Sequence, residues 1–318
     1  SHFFTQKKHY LRPEPRIAAR FMLDENSSVK ASFAMMNQYL HLLSNTGIGL
    51  PTDLWVPATK NVSPQKSWQV AAGYARDIPE HKLMVSAEVY YKKSEDVLGY
   101  KDGASFLLVN EVNLEGVDEI PWEKNVTSGQ GWSYGFEFLV QKKLGKFTGW
   151  VGYTLSWTQL QFDSLNFGKK FYARYDRRND ISVVGMYKIN DHITLSATWV
   201  FGTGSAITLP LAEYTVQEHD PISGQTTTPL NYYTWFVNDY GEKNSFRMAP
   251  YHRMDIGVQF HKKMKHWERT FELSFYNLYN RKNPFFYYIG YDAITNQRRL
   301  KQVSLFPIIP SVSWNIKF

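Results

Sequence analysis

The chain ends in Pro310-Ser-Val-Ser-Trp-Asn-Ile-Lys-Phe318, where apolar and polar residues alternate up to a C-terminal Phe. Val312, Trp314, Ile316 and Phe318 fall on one face of an extended strand, and Ser311, Ser313, Asn315 and Lys317 on the other. An apolar face backed by a polar one is the pattern of a membrane-spanning strand. The period recurs upstream: Leu83, Val85, Ala87, Val89 and Tyr91 alternate with Met84, Ser86, Glu88, Tyr90 and Lys92, and Met254, Ile256, Val258 and Phe260 with Asp255, Gly257, Gln259 and His261. No stretch approaches the ~20 consecutive apolar residues of a transmembrane helix. Any membrane span must therefore be made of strands, because only helices and closed barrels pair every backbone polar group in lipid.

Strand-like segments lie at 12–23, 27–44, 67–78, 81–98, 131–143, 146–161, 180–190, 192–204, 251–263, 267–281 and 303–318. Very short joints, such as Leu144-Gly145 and Asn190-Asp191, alternate with long ones at 45–66, 99–130, 162–179, 205–250 and 282–302. Tight turns at one end and long loops at the other describe a barrel with periplasmic turns and extracellular loops. A soluble sandwich would show the same alternation, so length decides: globular strands average ~5–6 residues, whereas a tilted membrane strand needs ~9–11. Tyr and Trp gather at strand ends, as interfacial girdles require, at Trp132, Tyr134, Trp157, Trp199, Tyr251, Trp267, Tyr276 and Tyr279. The expected fold is thus an all-β, antiparallel transmembrane barrel. Eleven strands cannot close a bacterial single-chain barrel, which takes an even count, so either one strand is missed or the wall belongs to a larger barrel.

Composition excludes other classes. With 43% apolar, 16% aromatic and 20% charged residues the chain is not compositionally disordered. The net charge of +7 is spread along the sequence, with no basic run for nucleic acid, and the absence of Cys excludes disulfides and thiolate metal sites.

The run Asn277-Leu-Tyr-Asn-Arg-Lys-Asn-Pro284, followed by Lys301–Phe318, resembles the end of TonB-dependent outer-membrane receptors of Bacteroidota. Tyr39–Ser44, Leu50–Pro57, Ala173-Arg-Tyr-Asp-Arg177 and Pro250-Tyr-His-Arg-Met-Asp255 extend the resemblance over nearly the whole chain. It implies a 22-stranded barrel in the outer membrane, of which residues 1–318 form the C-terminal half, without the plug domain or TonB box. It also implies import of a scarce nutrient (siderophore, cobalamin, glycan or peptide) with TonB-derived energy. The implied partners are outer-membrane lipid, the N-terminal barrel half and plug of the same receptor, TonB acting through that plug, and a surface lipoprotein lid. The barrel-assembly machinery completes the set, with Val312, Trp314, Ile316 and Phe318 as its signal. The rival reading is a non-transporting platform for surface lipoproteins or for secretion and assembly machinery.

No catalytic constellation stands out, and no cofactor is called for. His252, His261 and His266 lack a metal-ligand rhythm, no Gly-x-Ser-x-Gly elbow occurs, and the sequons Asn61-Val-Ser63 and Asn125-Val-Thr127 read as loop residues. Ligand binding falls to the long loops, since loops on a rigid scaffold carry function. The 205–250 loop offers Tyr232, Tyr233, Trp235 and Arg247, the 45–66 loop Asp53 and Trp55, and the 99–130 loop Trp122. In the block Phe171–Asp180, Arg174 and Arg177 are anion-binding candidates, with self-pairing into an ion network as the competing expectation.

Overall fold

In a computed structural model the described residues are 1–4, 8–44, 53–102, 104, 122–219, 232–292 and 297–318. Eleven antiparallel strands form one continuous wall: β1 (Arg16–Met22), β2 (Ser27–Gln38), β3 (Gln65–Ile78), β4 (Leu83–Tyr100), β5 (Val126–Lys142), β6 (Phe147–Gln161), β7 (Asn179–Lys188), β8 (Ile193–Gly202), β9 (Tyr251–Lys263), β10 (Glu268–Tyr276) and β11 (Ile309–Lys317). Each strand pairs with its sequence neighbours, so β1 and β11 are the two edges of the wall. Each of the eleven segments expected from the sequence overlaps one wall strand, although β5 begins at Val126 and β4 runs on to Tyr100, inside the loop expected at 99–130, and β11 pairs with β10 from Glu268↔Lys317 to Tyr276↔Ile309.

Period-2 alternation gives the wall two chemically different faces. On the apolar face Val70, Val89, Val151, Leu195 and Phe260 are each more than a third exposed, with Val89 at 53%. A water-facing sheet does not carry such a surface, whereas a lipid-facing one does. Two aromatic rows bound it. At the long-loop end Trp68, Tyr91, Tyr134 and Trp157 sit side by side across β3 to β6, ring centroids 5.5, 6.5 and 5.4 Å apart. At the short-turn end Phe260, Phe271 and Trp314 follow one another at 6.3 Å spacings across β9 to β11. Trp157 and Phe147 lie ten residues apart on β6, about 33 Å along a strand and about 25 Å vertically at a tilt near 40°, which is the height of an outer-membrane apolar band.

The polar face carries paired groups. Lys30 and Glu88 form an ion pair at 2.5 Å that crosses β3 above Gly73, where a Cβ would sit 2.7 Å from the Lys30 Cε. Arg253 donates to Asp255 at 3.0 Å and to the Tyr276 and Tyr251 hydroxyls at 2.7 and 3.1 Å. Tyr251 and Tyr276 therefore serve this network rather than a girdle, because the period places them on the Asp255 side. His252 binds Tyr279 on the apolar side, whereas His261 sits between Thr194 and Thr270 on the polar side, so the His pair of β9 does not converge.

The long connections hold structure of their own. The segment expected at 27–44 ends its wall role at Gln38, and Leu40–Ser44 turns away to pair with Asp53–Pro57. Phe171–Tyr172 pairs with the end of β6, Ala206–Ile207 with Phe246–Arg247, Pro210–His219 with Tyr232–Tyr240, and Pro284–Tyr291 with Arg298–Ser304. β10 stops at Tyr276 because Asn277 takes φ +52° and is buried. Its backbone N–H donates to Asp255, its amide donates to the carbonyls of Arg281 and Phe306, and its side-chain oxygen accepts from the Arg281 N–H. A short amide side chain tolerates the left-handed conformation and supplies these bonds at once. The 303–318 segment is likewise broken by Phe306 at φ +56° before Pro307, which leaves Ile309 as the start of β11.

A cation in the middle of the apolar face has no partner in lipid. Val151→Arg is expected to destabilise the protein in liposomes by about 2–4 kcal/mol in denaturant unfolding, while Phe147→Arg near the rim changes it by less than about 1 kcal/mol.

Candidate functional site: the loop-layer cleft

A wall one sheet thick has no interior, so the apolar clusters lie in the loop layer. Leu43, Val56, Val62 and Val126 form one, with Trp122 packed against it. Phe162, Leu165 and Phe171 form a second, and Ile207, Met248 and Tyr287 a third. Among them opens a cleft of about 1070 Å³ lined from the Leu40–Pro57 hairpin, the top of β4, the 160–175 loop and residues 240–244.

Polar knots hold the elements that shape it. Asn166, buried at φ +53°, accepts from the Lys243 N–H at 2.8 Å, and Asn244, buried at the same φ, donates to the Tyr172 carbonyl at 2.8 Å. Lys243 reaches Asp102 at 3.0 Å and Lys169 reaches Glu242 at 3.2 Å. The strongest tie is Asp176, whose buried carboxylate accepts from the Thr158 N–H at 2.5 Å and pairs with Arg247 and, at 3.6 Å, Arg178. Both guanidinium groups also stand over the Tyr172 ring, at 5.0 and 5.1 Å. Charge-assisted bonds to a buried carboxylate fix the base of the 205–250 loop to the top of β6.

Three aromatic side chains face solvent around the cleft. Trp55 is 61% exposed, Phe167 98% and Tyr175 67%. Phe167 takes φ +55° between Asn166 and Gly168, a conformation rarely held by a bulky residue, and strain of this kind collects at ligand-contacting positions. Lys92, Lys101, Arg174 and Lys243 contribute cationic heads, against Asp102 and Asp163, with Lys243 paired to Asp102. Burial pushes the Arg174 guanidinium below its usual value while Asp53 opposes the shift, and a charge held partly out of water attracts an anion more strongly than an exposed one. At the floor His41 is buried, and neither ring nitrogen has a hydrogen-bond partner among the described residues. Its burial favours the neutral imidazole, against the opposing influence of the Ser63 backbone and Asp96.

Of the residues singled out from sequence, Trp55 and Arg174 line the cleft, and Asp53 acts on Arg174 from the hairpin. Trp122 packs into the loop core, Arg177 pairs with Asp180 at 3.4 Å beside β8, and Arg247 is spent on Asp176. Tyr232, Tyr233 and Trp235 pair through their backbones with His219, Glu218 and Val216, and their side chains lie outside the described residues. Sequence reading missed Phe167, Tyr175, Lys92, Lys101 and His41. Only Asn166-Phe-Gly168, a bulky residue flanked by turn formers, carried a legible signal.

Residues 4–280 match the family model described as "TonB dependent receptor-like, beta-barrel". The chain belongs to this outer-membrane barrel family. Its fold is similar to that of the ferric-catecholate import receptor Fiu of E. coli K12, at TM-score 0.51 and 14% identity, over 95% of this chain and 34% of Fiu. The ferripyoverdine receptor of Pseudomonas aeruginosa matches at 0.51 and 14%, over 96% and 32%, and the ferric citrate transporter FecA at 0.51 and 8%, over 96% and 38%. Among curated proteins, none matches in sequence. The chain spans about a third of the length of these solved TonB-dependent receptors, and at such identities the likeness is one of fold alone.

Two outcomes test the construction of the cleft. Asp176→Ala leaves two arginines without their buried carboxylate and is expected to cost roughly 3 kcal/mol, read as faster amide hydrogen exchange at Ala206–Ile207 and Phe246–Arg247. His41 binds its proton less readily folded than unfolded, so stability is full above the unfolded value near 6.5 and falls as pH drops below it. Exchange at Leu40–Ser44, corrected for intrinsic rates, should accelerate between about pH 7 and pH 5, and His41→Phe should abolish that dependence.

Proposed function

We propose that this chain forms the C-terminal part of the barrel wall and the extracellular binding loops of a TonB-dependent receptor for active nutrient uptake. The observation that carries the reading is the cleft, where Trp55, Phe167 and Tyr175 stand beside Lys92, Lys101 and Arg174. Exposed rings bind flat apolar surface and the cations bind acidic oxygen, a combination suited to a bulky, anionic nutrient such as a metal chelate. Cobalamin, glycans and peptides complete the substrate classes under test.

The rest of the same receptor pairs with β1 and β11 and supplies the remaining barrel and the plug, since an open sheet edge is not tolerated in lipid. TonB acts through that plug. The barrel-assembly machinery reads Val312, Trp314, Ile316 and Phe318 on the edge strand, and a surface lipoprotein caps the loops. The motifs at Asn277–Pro284 and Lys301–Phe318 support a place among receptors of Bacteroidota.

The test is uptake by cells expressing the full-length receptor, with labelled ferric siderophores, cobalamin, oligosaccharides and peptides. Accumulation of one class is expected, abolished without TonB. Trp55→Ala with Phe167→Ala should weaken binding of that class by about tenfold or more, at roughly 1 kcal/mol per lost ring contact, with surface expression unchanged. A non-transporting platform for lipoproteins or secretion machinery would leave every accumulation unchanged, and that result overturns the proposal.

A further inference from the structure

A second concavity lies on the apolar face at the short-turn end of the wall. It has a volume of about 520 Å³ and is lined by Ile193, Phe260, Phe271 and Trp314, with His192, Lys262 and Arg269 at its rim and His261 behind it. The aromatic members are the lower girdle row, so the hollow faces the acyl chains where the bilayer meets its periplasmic headgroups.

The rim chemistry is unusual for that position. Lys262 of β9 and Arg269 of β10 are directly opposed in the strand register. Like charges across a strand pair repel and destabilise the pairing. Neither residue forms an ion pair among the described residues; Asp191, on the neighbouring turn, is taken by Lys188 at 3.1 Å. Arg269 instead stands 5.8 Å from the Trp314 ring, which orients its head over the hollow. The His192 ring is held by the His261 carbonyl at 3.3 Å. Two opposed cations at the mouth of an apolar hollow, at headgroup depth, make a site that an anion with a hydrocarbon tail completes.

We propose that this hollow is a binding site for an anionic phospholipid of the periplasmic leaflet, with the phosphate between Lys262 and Arg269 and an acyl chain against Phe260, Phe271 and Trp314. The depth selects the leaflet: the hollow lies beside the turns at Asn190-Asp191 and Met264–His266, at the end opposite the nutrient cleft. The site is independent of what the receptor transports. Its occupation neutralises the Lys262–Arg269 repulsion and so stabilises the β9–β10 pairing on which β11 is laid.

The experiment is native mass spectrometry of the full-length receptor in micelles, titrated separately with phosphatidylglycerol, phosphatidylcholine, lipopolysaccharide and inorganic phosphate. Phosphatidylglycerol is expected to be retained at least tenfold more tightly than phosphatidylcholine. Lys262→Gln with Arg269→Gln should lower its affinity by about 30-fold, at roughly fivefold per cation, while Lys262→Arg keeps it. Equal retention of the two phospholipids by the unaltered receptor overturns the proposal, and this comparison needs no variant to fold. So does unchanged affinity in a double variant that retains the heat-modifiable mobility of a folded barrel. Displacement of phosphatidylglycerol by lipopolysaccharide would assign the site to the outer leaflet, and displacement by millimolar phosphate alone would reduce it to an anion site; either result also overturns it.

Discussion

The backbone hydrogen-bond ladder is the constraint from which the rest of this structure follows. In hydrocarbon each unpaired N–H or C=O costs several kcal/mol, so a chain without a transmembrane helix must satisfy them strand to strand. Eleven strands do so in unbroken neighbour pairing, which leaves the outer edges of β1 and β11 as the open ones in the wall among the described residues. That pairing consumes the interior: a single sheet leaves one face for lipid and one for the lumen, with no second layer to pack against. Burial is displaced upward, into three small apolar clusters of the loop layer, and inward, into polar pairs such as Lys30–Glu88 and Arg253–Asp255.

The loop layer depends on a different economy. Its clusters are too small to hold long hairpins by hydrophobic burial alone. Buried amides and one buried carboxylate supply the remainder: Asn166, Asn244 and Asn277 each adopt a left-handed backbone and bridge separate segments, and Asp176 binds the top of β6 to the base of the 205–250 loop. Satisfied networks of this sort specify one arrangement, because any slip strands a buried polar group. The rigidity is what allows Trp55, Phe167 and Tyr175 to remain exposed around the cleft instead of collapsing onto one another.

How much was legible follows from the range of the interactions involved. Wall strands could be read because their alternation is local: Leu83 to Tyr91 declare two faces without reference to any other segment. Aromatic rows were half legible. Tyr134 and Trp157 stand where strand-end Trp and Tyr were expected, but Tyr251 and Tyr276 lie on the Arg253 side, a matter of parity and partner. The cleft residues were least legible. Arg247 resembles an anion ligand in sequence and is instead the partner of a carboxylate 71 positions away. Phe167 is signalled in sequence only by the turn formers on either side of it, and stands out through its backbone conformation and its exposure.

The sequence by itself determined the fold class, the eleven strands, the apolar and polar faces and the end at which the long loops lie, because period, turn chemistry and segment length are properties of contiguous residues. Tertiary structure decided which loop residues meet in the cleft and which cations are spent on Asp176. It also decided that Lys262 and Arg269 face each other beside Trp314. These are register and long-range contacts, set by how strands and hairpins align across the sheet, and no local pattern encodes them.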